Sequence, residues 1–483
     1  MGKRRKIRIV EADISSFSKR GNGTGNSLPD GTTPSRPIEV PFAIPGDKVQ
    51  AQTLRKNGAY TLCSLQQVIQ PSPIRIEPRC KHFGVCGGCR WQQIPYLEQL
   101  KFKQRYIQEV FEKFNKIKPF ELLPILPCEK PWHYRNKMEF SFSSDAAGNK
   151  YLGLMMDSSQ GKVLNLTECH LVNTWYMDGL QAARRWWESV GVDAYHPGKD
   201  AGALRTLTLR EGMRTGDRMV ILTVSGNPEY ALRKSYLESF ASYMQEAIEP
   251  MVVGSHLSIF LRIQQIRQGM PTNFYEMLLY GPDHIREVLY IQLNPYEDRF
   301  SLHFQISPTA FFQPNTYQAE RLYSKALQLT NIHKDAVVYD LYCGTGTLGM
   351  CLARKVKQVI GIELSPESAL DAKMNAARNG LTNITIFSGA VRHVLNTLQN
   401  DSNFSKPDLV MVDPPRSGLD PDALKHLHDL SPEKILYLSC NATTQAENLE
   451  TFIKGGYKIH AMQPVDHFPH TPHIENIVVL AKS

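Results

Sequence analysis

The stretch AVVYDLYCGTGTLG, Ala336–Gly349, places a glycine-rich turn directly after an apolar run with β-branched residues. Gly344, Gly346 and Gly349 stand in the order G-x-G-x-x-G. Glycines at this spacing let a strand turn tightly into a helix and let a ligand approach the backbone closely. The next apolar run, QVIGIE, ends roughly twenty residues further on at Glu363, where a carboxylate can accept hydrogen bonds from ribose hydroxyls. The pattern predicts a site for a cofactor that contains a nucleoside.

The glycine turn alone does not identify this cofactor. A nicotinamide dinucleotide and S-adenosylmethionine both need a close backbone approach and a hydrogen-bond acceptor for the ribose. Asp340, just before the turn, favours S-adenosylmethionine, because a carboxylate there can help to position the cationic amino acid part of the cofactor. A purely structural tight turn is the third interpretation.

Further apolar, β-branched runs follow the glycine turn along the chain. They are DLVMVDPP from Asp408, KILYLSC from Lys434 and ENIVVLAK from Glu475, with helical spacers between most of them. This alternation predicts an α/β domain with an open, mainly parallel sheet and helices on both faces. In such sheets ligands bind beyond the carboxyl ends of the strands, so the residues at the strand ends are the candidates for function.

Cys440 ends one of these runs, on the edge of the sheet that also carries the glycine turn and Asp413-Pro-Pro. A cysteine at such a position is often only a small buried apolar residue, and Asp-Pro-Pro can simply end a strand. A methyl donor, a thiol and the later carboxylate of Glu475 together match methylation of uracil at carbon 5. Carbon 5 becomes nucleophilic when a thiolate adds to carbon 6, and a base must then remove the proton from carbon 5. The pattern predicts Cys440 as the nucleophile and Glu475 as the base.

The earlier part of the chain divides into two further regions. Residues 1–78 alternate short apolar stretches such as IEVPFAI with turn signals such as IPGD, which predicts a small β-barrel. Residues 79–298 begin with a cysteine cluster, continue with a helix at about 96–117 that could pack on the catalytic domain, and mix strands and helices as an α+β region. Residues 299–483 form the third predicted domain.

Six stretches, taken in order, resemble successive motifs of the RNA uracil carbon-5 methyltransferases. They are HYRNKMEFSF, ISPTAFFQPN, DLYCGTGTLG, VDPPRSGL, YLSCN and FPHTPHIEN. The resemblance covers nearly the whole chain and is greatest to the iron-sulfur-containing 23S ribosomal RNA members. It implies a class I (Rossmann-like) methyltransferase domain, an N-terminal TRAM/OB-like RNA-binding barrel and a central α+β domain with an iron-sulfur cluster. It also implies S-adenosylmethionine as cofactor and RNA, most of all 23S ribosomal RNA, as substrate.

The resemblance also assigns roles to individual residues. Cys440 and Glu475 fall at the positions of the family's nucleophile and base. The positions that match the family's S-adenosylmethionine site are Gln313, Tyr342, Thr347, Glu363 and Asp413, together with Gly344 and Gly346 of the turn. The chain departs from the family pattern at Ala442, where a proline commonly follows Ser-Cys-Asn, and this departure concerns the local turn.

Three cysteines lie close together in RCKHFGVCGGCRWQQ, Arg79–Gln93, namely Cys80, Cys86 and Cys89. The chain has nine cysteines and is expected to be cytoplasmic, where disulfides are rare. Clusters among these cysteines therefore indicate metal ligands or catalytic residues. Spacing leaves three candidates for a fourth ligand: Cys63, Cys128 and Cys169. Ligation by cysteine alone suits zinc or an iron-sulfur cluster. The resemblance implies Cys169 and a [4Fe-4S] cluster.

Other classes of protein match the sequence in part. A radical S-adenosylmethionine enzyme that modifies tRNA would carry Cys-x-x-x-Cys-x-x-Cys, whereas here five residues separate the first two cysteines of the cluster. An RNA cytosine methyltransferase usually places its thiol in a Pro-Cys motif, where this chain has Asp-Pro-Pro. A nicotinamide-dependent oxidoreductase, a tRNA uridine methyltransferase and a non-catalytic RNA-binding protein remain as alternatives.

Charge and hydropathy bear on partners and location. The formal net charge of +8 suits a polyanionic partner such as RNA. The basic N-terminal residues are expected to contact phosphates; they are Lys3, Arg4, Arg5, Lys6 and Arg8. The chain shows neither a run long enough to span a membrane nor an apolar signal segment, so we expect a cytoplasmic monomer that binds RNA, not DNA and not a membrane.

Overall fold

The chain folds into two compact units. The computed structural model describes residues 8–29, 34–117, 119–157, 161–250, 252–266, 269, 272–400 and 405–482. The first unit consists of the described residues of Met1–Lys103, Leu154–His170 and Phe468–Pro472. The second consists of those of Gln104–Gly153, Leu171–His467 and His473–Ser483. The division at residues 78 and 298 stays a prediction.

Strands make up most of the regular structure. They are β1 Ile9–Phe17, β2 Gly23–Ser27, β3 Pro37–Val40, β4 Lys48–Asn57, β5 Tyr60–Gln70, β6 Glu121–Leu122, β7 Lys137–Ser144, β8 Lys150–Met155, β9 Val163–Asn165, β10 Leu204–Glu211, β11 Arg218–Ser225, β12 Leu257–Gln265, β13 Asn273–Tyr280, β14 Ile285–Ile291, β15 Phe300–Ile306, β16 Val337–Leu341, β17 Gln358–Glu363, β18 Ile384–Ser388, β19 Leu409–Val412, β20 Lys434–Ser439, β21 Tyr457–Val465 and β22 Glu475–Lys482.

Helices lie mainly in the second unit. They are α1 Tyr96–Ile117, α2 Trp175–Val190, α3 Lys234–Ile248, α4 Thr316–Thr330, α5 Thr347–Ala353, α6 Pro366–Arg378, α7 Val391–Gln399, α8 Pro421–Leu430 and α9 Ala442–Lys454. Among the described residues, none of these helices combines the length and apolarity needed to cross a membrane.

A closed five-stranded barrel in the order β1-β2-β3-β5-β4 forms the start of the first unit. Small and β-branched side chains such as Ala12, Ile14 and Val40 fill its interior, because alternate residues of each strand point inward. The predicted N-terminal barrel is confirmed. Of the basic tail, Lys3–Lys6 lie outside the described residues, while the main-chain N–H of Arg8 donates to Thr53 Oγ1 at 3.1 Å.

The cysteine-rich segment and residues Phe468–Pro472 also belong to the first unit. The main-chain N–H groups of Arg90 and Trp91 both donate to the carbonyl oxygen of His470, at 3.0 and 3.1 Å. The main-chain N–H of His470 donates to Gln99 Oε1 at 2.9 Å, and the ammonium group of Lys103 donates to the carbonyl oxygen of Phe468 at 3.0 Å. A segment from near the C-terminus thus completes the N-terminal unit.

The second unit contains a mainly antiparallel sheet with the strand order β13-β12-β11-β10-β7-β8. Helices α2 and α3 pack together, and α3 contacts β12 and β13. The indole ring of Trp186 in α2 meets the ring of Phe240 in α3 at a centroid distance of 4.9 Å. This sheet and its helices are the α+β region that the sequence predicted only in outline.

The other large sheet of the second unit has the order β18-β17-β16-β19-β20-β22-β21-β6. Strands β16–β20 run parallel, and β22 runs antiparallel to both β20 and β21. Val338 and Tyr339 of β16 enter different apolar clusters, because successive side chains point to opposite faces and helices cover both. The predicted open, mainly parallel sheet is confirmed.

Helices α5 and α1 differ in detail from their sequence patterns. Helix α5 begins at Thr347, within the glycine-rich stretch itself. The cause is Gly346, which caps the helix in a left-handed conformation with φ 74°. In α1, Ile107 and Phe111 pack in the core of the sheet, whereas Leu97 is 70% exposed although it fits the apolar spacing.

Candidate active site

The glycine turn lies at the carboxyl end of β16 and is fixed by its backbone. Gly344 and Gly346 have φ of 54° and 74°, a region that glycine adopts without strain. Gly349 is needed for another reason, because a Cβ atom there would lie 2.9 Å from Asp340 Oδ2. Instead, the N–H of Gly349 donates to that oxygen at 2.8 Å. The turn therefore keeps its backbone close to a carboxylate.

Glu363 ties the turn to the neighbouring strand β17. Its Oε2 accepts from the N–H of Gly344 and its Oε1 from the N–H of Ser365, both at 2.9 Å. Each carboxylate oxygen has further lone pairs, with which it can accept ribose hydroxyls. Next to it in the turn, the hydroxyls of Thr345 and Thr347 are 2.9 Å apart. These contacts hold acceptors at the strand edge before any ligand binds.

Three carboxylates, Asp340, Glu363 and Asp413, interact around this turn. Burial raises the pKa of Asp340 to about 7, and the negative charges of the other two add to the effect, against the hydrogen bond from Gly349. Burial also raises the pKa of Asp413. An excess of carboxylates favours a cationic ligand and disfavours a pyrophosphate. The electrostatics therefore support S-adenosylmethionine, a sulfonium, over a nicotinamide dinucleotide.

Gln313 and Tyr323 approach the same carboxylates from the segment before α4 and from α4 itself. Gln313 is buried, and its side chain hydrogen bonds to the hydroxyl of Tyr323. The pKa of Tyr323 is raised well above its usual value by burial and by the charge of Asp413. The structure thus brings Gln313 and Asp413 together around a tyrosine that the sequence reasoning missed.

Tyr342 occupies a strained position directly after β16. Its φ of 64° is unusual for a side chain as large as tyrosine. The ring packs against an apolar cluster that contains Leu419, and burial raises the pKa of its hydroxyl to about 12. Tyr342 lies two residues before Gly344, so it adjoins the glycine turn while its ring packs in the apolar cluster.

Cys440 lies in the short turn between β20 and α9 and is half-buried. Asn441 caps α9, since its Oδ1 accepts from the N–H of Thr443 at 3.2 Å. The N–H of Asn441 in turn donates to Ser439 Oγ at 3.0 Å. Ala442 is the first residue of the helix, a position where proline is also favoured. The departure from the family pattern at Ala442 leaves the turn intact.

Cys440, Glu475, Asp413 and Arg416 form one electrostatic group. Burial and the charge of Glu475 raise the pKa of the Cys440 thiol to about 11, while the charge and a hydrogen bond of Arg416 lower it. The pKa of Glu475 is raised well above its usual value by burial and by Asp413, and Arg416 again opposes the shift. The predicted base is therefore close enough to the predicted nucleophile to influence the protonation of its thiol.

Arg416 is a second residue that the sequence reasoning did not select, although it stands in DPPR beside Asp413. Its carbonyl oxygen accepts from Asn441 Nδ2 at 2.9 Å and from Thr444 Oγ1 at 3.2 Å. Asn441, the residue after Cys440, thus holds the backbone of Arg416, whose guanidinium group acts on the Cys440 thiol. The sequence feature that could have identified Arg416 is its position as a cation in DPPR, beside Asp413.

The four cysteines predicted as cluster ligands all lie in the first unit: Cys80, Cys86, Cys89 and Cys169. Burial is the largest cause that raises the pKa of the Cys89 thiol to about 12, and the charges of the other three contribute. A hydrogen bond from Gln92 opposes the shift. The N–H of Gly88 donates to Cys86 Sγ at 3.4 Å. The thiol of Cys89 is thus within electrostatic reach of the other three.

The spacing of these thiols bears on the kind of group they could hold. Within the part of the chain that the structure describes, no three of the four sulfur atoms lie within 4.8 Å of one another. A single zinc ion, with Zn–S bonds of about 2.3 Å, would bring its sulfur ligands to roughly 3.8 Å from one another. A [4Fe-4S] cluster separates its thiolates further, because each binds a different iron. Four cysteines fit that cluster chemically.

The two other candidates for the fourth ligand are engaged elsewhere. Cys63 is buried in the apolar interior of the barrel. Cys128 belongs to the second unit, where Asn315 Nδ2 donates to its sulfur at 3.6 Å. Of the three candidates that spacing allowed, Cys169 is the one whose charge acts on Cys89.

An open, mainly parallel sheet whose strand ends carry a carboxylate-lined glycine turn defines a class I S-adenosylmethionine-dependent methyltransferase. The sequence profile of the tRNA (Uracil-5-)-methyltransferase family matches residues 274–483. An uncharacterized RNA methyltransferase of Protochlamydia amoebophila is 55% identical over 92% of this chain and 99% of its own. One of Chlamydia trachomatis is 36% identical over 83% of this chain and 98% of its own. The chain therefore belongs to a family of RNA methyltransferases.

A solved structure has the same fold. It is the tRNA (uracil-54, C5)-methyltransferase of Pyrococcus abyssi in complex with S-adenosyl-L-homocysteine. It is 24% identical to this chain and superposes with a TM-score of 0.71 over 98% of this chain and 100% of its own. The methyltransferase fold that the family resemblance implied is confirmed by this similarity.

Proposed function

We propose that the protein methylates carbon 5 of a specific uridine in RNA, through a covalent adduct of Cys440. The observation that carries the proposal is the grouping of Cys440 and Glu475 with Asp413 and Arg416, next to the glycine turn. This grouping supplies a thiol, a base and a cation beside a site suited to a methyl sulfonium. Such a set matches the two-stage activation that carbon 5 of uracil requires.

The proposed reaction has three steps. The thiolate of Cys440 bonds to carbon 6 of uracil, and the electron pair of the 5,6 double bond moves into the carbonyl at carbon 4 as an enolate. Carbon 5 then bonds to the methyl group, which S-adenosylmethionine supplies as a cation, leaving neutral S-adenosylhomocysteine. Glu475 removes the proton from carbon 5, and the returning electron pair expels the thiolate of Cys440. Arg416 favours the first step because its cation stabilises the thiolate.

For the cofactor we propose a site at the carboxyl ends of β16 and β17. The residues assigned to it are Gln313, Tyr342, Gly344, Gly346, Thr347, Glu363 and Asp413. The carboxylates around the turn would bind the ribose and the cationic end, and the glycines would allow the backbone to approach. Support comes from the pKa of Asp340, which is raised chiefly by burial and further by the negative charges of Asp413 and Glu363, charges that a bound cation would offset.

We further propose that Cys80, Cys86, Cys89 and Cys169 bind a [4Fe-4S] cluster. Support comes from their common location in the first unit and from the all-cysteine donor set. Iron and sulfide analysis of anaerobically purified protein, with its visible spectrum, tests this proposal. Stoichiometric zinc without iron would overturn it.

The proposed substrate is 23S ribosomal RNA, on the resemblance to the iron-sulfur-containing members. A barrel within residues 1–78, a central region within 79–298 and a catalytic region within 299–483 would then share the contacts with RNA. A tRNA substrate is the second candidate, favoured by the name of the matching family and by the Pyrococcus abyssi enzyme, which acts on tRNA.

The experiment is transfer of a labelled methyl group to ribosomal and transfer RNA from cells that lack the gene. We expect label in 5-methyluridine of 23S ribosomal RNA with the wild-type protein and none with Cys440→Ala. The control is binding of S-adenosylhomocysteine, which Cys440→Ala should retain. Label in tRNA alone would select the second candidate, and turnover by Cys440→Ala would overturn the nucleophile assignment.

A further inference from the structure

Two arginines of the antiparallel sheet hold the segment that leads from β15 to α4. Arg210 Nη1 in β10 donates to the carbonyl oxygen of Ala310 at 2.9 Å and makes a longer contact of 3.5 Å with that of Ser307. Arg262 Nη2 in β12 donates to the carbonyl oxygen of Pro308 at 2.9 Å. Three carbonyl groups within four consecutive residues thus point at two guanidinium groups.

The same segment is fixed at its other end, where Gln313 stands. Asn136 Nδ2 donates to the carbonyl oxygen of Gln313 at 2.9 Å. The ring of Phe312 is buried and packs on that of Phe304 at a centroid distance of 5.5 Å. Only Phe311, with 65% of its surface exposed, is left free between the two anchored ends. The backbone on which Gln313 is mounted is therefore held on both sides.

Ser307 links this segment to the part of the sheet that carries the glycine turn. Its hydroxyl donates to Asp371 Oδ2 at 2.6 Å. Asp371 lies in α6, the helix that directly follows the strand ending at Glu363. The segment that carries Gln313 is thus connected through Asp371 to the helix that follows the proposed ribose-binding residue.

Arg210 is unusual because its cation is enclosed in the protein. Its side chain is 1% exposed; the charges of Glu287 and Asp371 favour its cation, but among the described residues neither carboxylate forms an ion pair with it. Its Nη2 atom likewise has no hydrogen-bond partner in the described part of the chain. Enclosing a charge is costly, and replacing a buried charged residue by an apolar one is often neutral or stabilising. Stability alone therefore does not explain an arginine at this position.

We propose that Arg210 is a positioning residue, which holds the Ser307–Ala310 backbone so that Gln313 faces the cofactor. Arg262 assists by holding Pro308. Arginine suits the task, because its planar group offers several donors in a fixed arrangement and stays charged when buried. This inference rests on the proposed function, since it assumes that Gln313 binds S-adenosylmethionine.

The test is the affinity for S-adenosylhomocysteine, measured by calorimetry on the full chain, together with kcat and KM in methyl transfer. Arg210→Met keeps much of the side-chain volume and removes the donors. We expect at least a fivefold rise in the Kd for S-adenosylhomocysteine and in the KM for S-adenosylmethionine, with an unchanged KM for RNA and an unchanged melting temperature. Arg210→Lys, which keeps the charge, should recover part of the affinity.

Arg205→Met is the matched control. Arg205 lies in the same strand, but its guanidinium is stacked 3.5 Å from the ring centre of Tyr195. Its replacement should leave cofactor affinity unchanged. If Arg210→Met fails to fold, Arg262→Met carries the test, because the side chain of Arg262 is partly exposed and contacts the same segment. A Kd within fivefold of the wild-type value in the folded variant would overturn the inference.

The wild-type protein separates this inference from the proposed function. If wild-type protein does not bind S-adenosylhomocysteine, the proposed cofactor site itself is wrong. If it binds and Gln313→Ala weakens binding while Arg210→Met does not, only the positioning role of Arg210 is wrong.

Discussion

Arg416→Met is the substitution that most directly tests the electrostatics of the thiol. In the wild-type protein without ligands, the pKa of Cys440 is raised to about 11 by burial and by Glu475, and Arg416 opposes the shift. At pH 7.5 such a thiol is ionised in about one molecule in 3,000. Removal of the cation raises the pKa further and lowers the thiolate fraction at every pH below it.

The magnitude follows from the strength and exposure of this contact. A hydrogen bond to a charged group contributes about 1.5–3 kcal/mol when it is shielded from water. Arg416 is exposed, so solvent screening reduces this to about 1–2 kcal/mol. Since 1.4 kcal/mol corresponds to a factor of ten, we expect a loss of roughly 5- to 30-fold in thiolate population.

Alkylation of Cys440 by iodoacetamide measures this population, because the thiolate is the reacting form. The rate, followed by mass spectrometry of the peptide, should rise tenfold per pH unit from pH 7 to 9 in both proteins and be 5- to 30-fold lower in the variant. Arg392→Met is the control, because Arg392 is an exposed arginine paired with Asp422 at 3.2 Å. Equal alkylation rates in Arg416→Met and wild type, or a plateau below pH 9, would refute the reasoning.

Further predictions concern the base, the turn and the cluster. Glu475→Gln should allow methyl transfer but accumulate an RNA adduct that survives denaturation, visible as a shifted band on a gel; normal turnover without the adduct would count against a role as base. Gly349→Ala should weaken S-adenosylhomocysteine binding at least tenfold, because the added Cβ would lie 2.9 Å from Asp340 Oδ2. Calorimetry measures this affinity, and an unchanged Kd would show that the close contact is tolerated. Cys169→Ser should lower the iron content of anaerobically purified protein while Cys63→Ser leaves it unchanged, and the reverse result would exchange their roles.

The strands of the methyltransferase sheet could be predicted from the sequence because each is an uninterrupted apolar run. Val337–Leu341 and Lys434–Ser439 are buried on both faces, so their composition alone marks them. The position of Cys440 followed from the end of such a run. The family was likewise recognisable, because six short motifs occur in order.

Other parts could not be predicted, because they depend on contacts between distant residues. Tyr323 meets Gln313 and Asp413 only after α4 has packed on the sheet, and nothing in its local sequence distinguishes it from a core tyrosine. Leu97 fits the apolar spacing of α1 but is exposed. Apolar spacing shows which face of a helix is buried, but it does not show how far along the helix the burial extends. The early start of α5 depends on the left-handed Gly346.

The return of Phe468–Pro472 to the N-terminal unit sets a constraint on synthesis of the chain. The ammonium group of Lys103 donates to the carbonyl oxygen of Phe468, 365 residues later in the sequence. At the usual 5–20 residues per second, the ribosome needs about 20 to 70 seconds between the two. During that interval Gln99 lacks the hydrogen bond that the main-chain N–H of His470 donates to it. The first unit to emerge from the ribosome thus lacks these contacts until residues 468–472 have been synthesised, and until then it is exposed to chaperones and proteases.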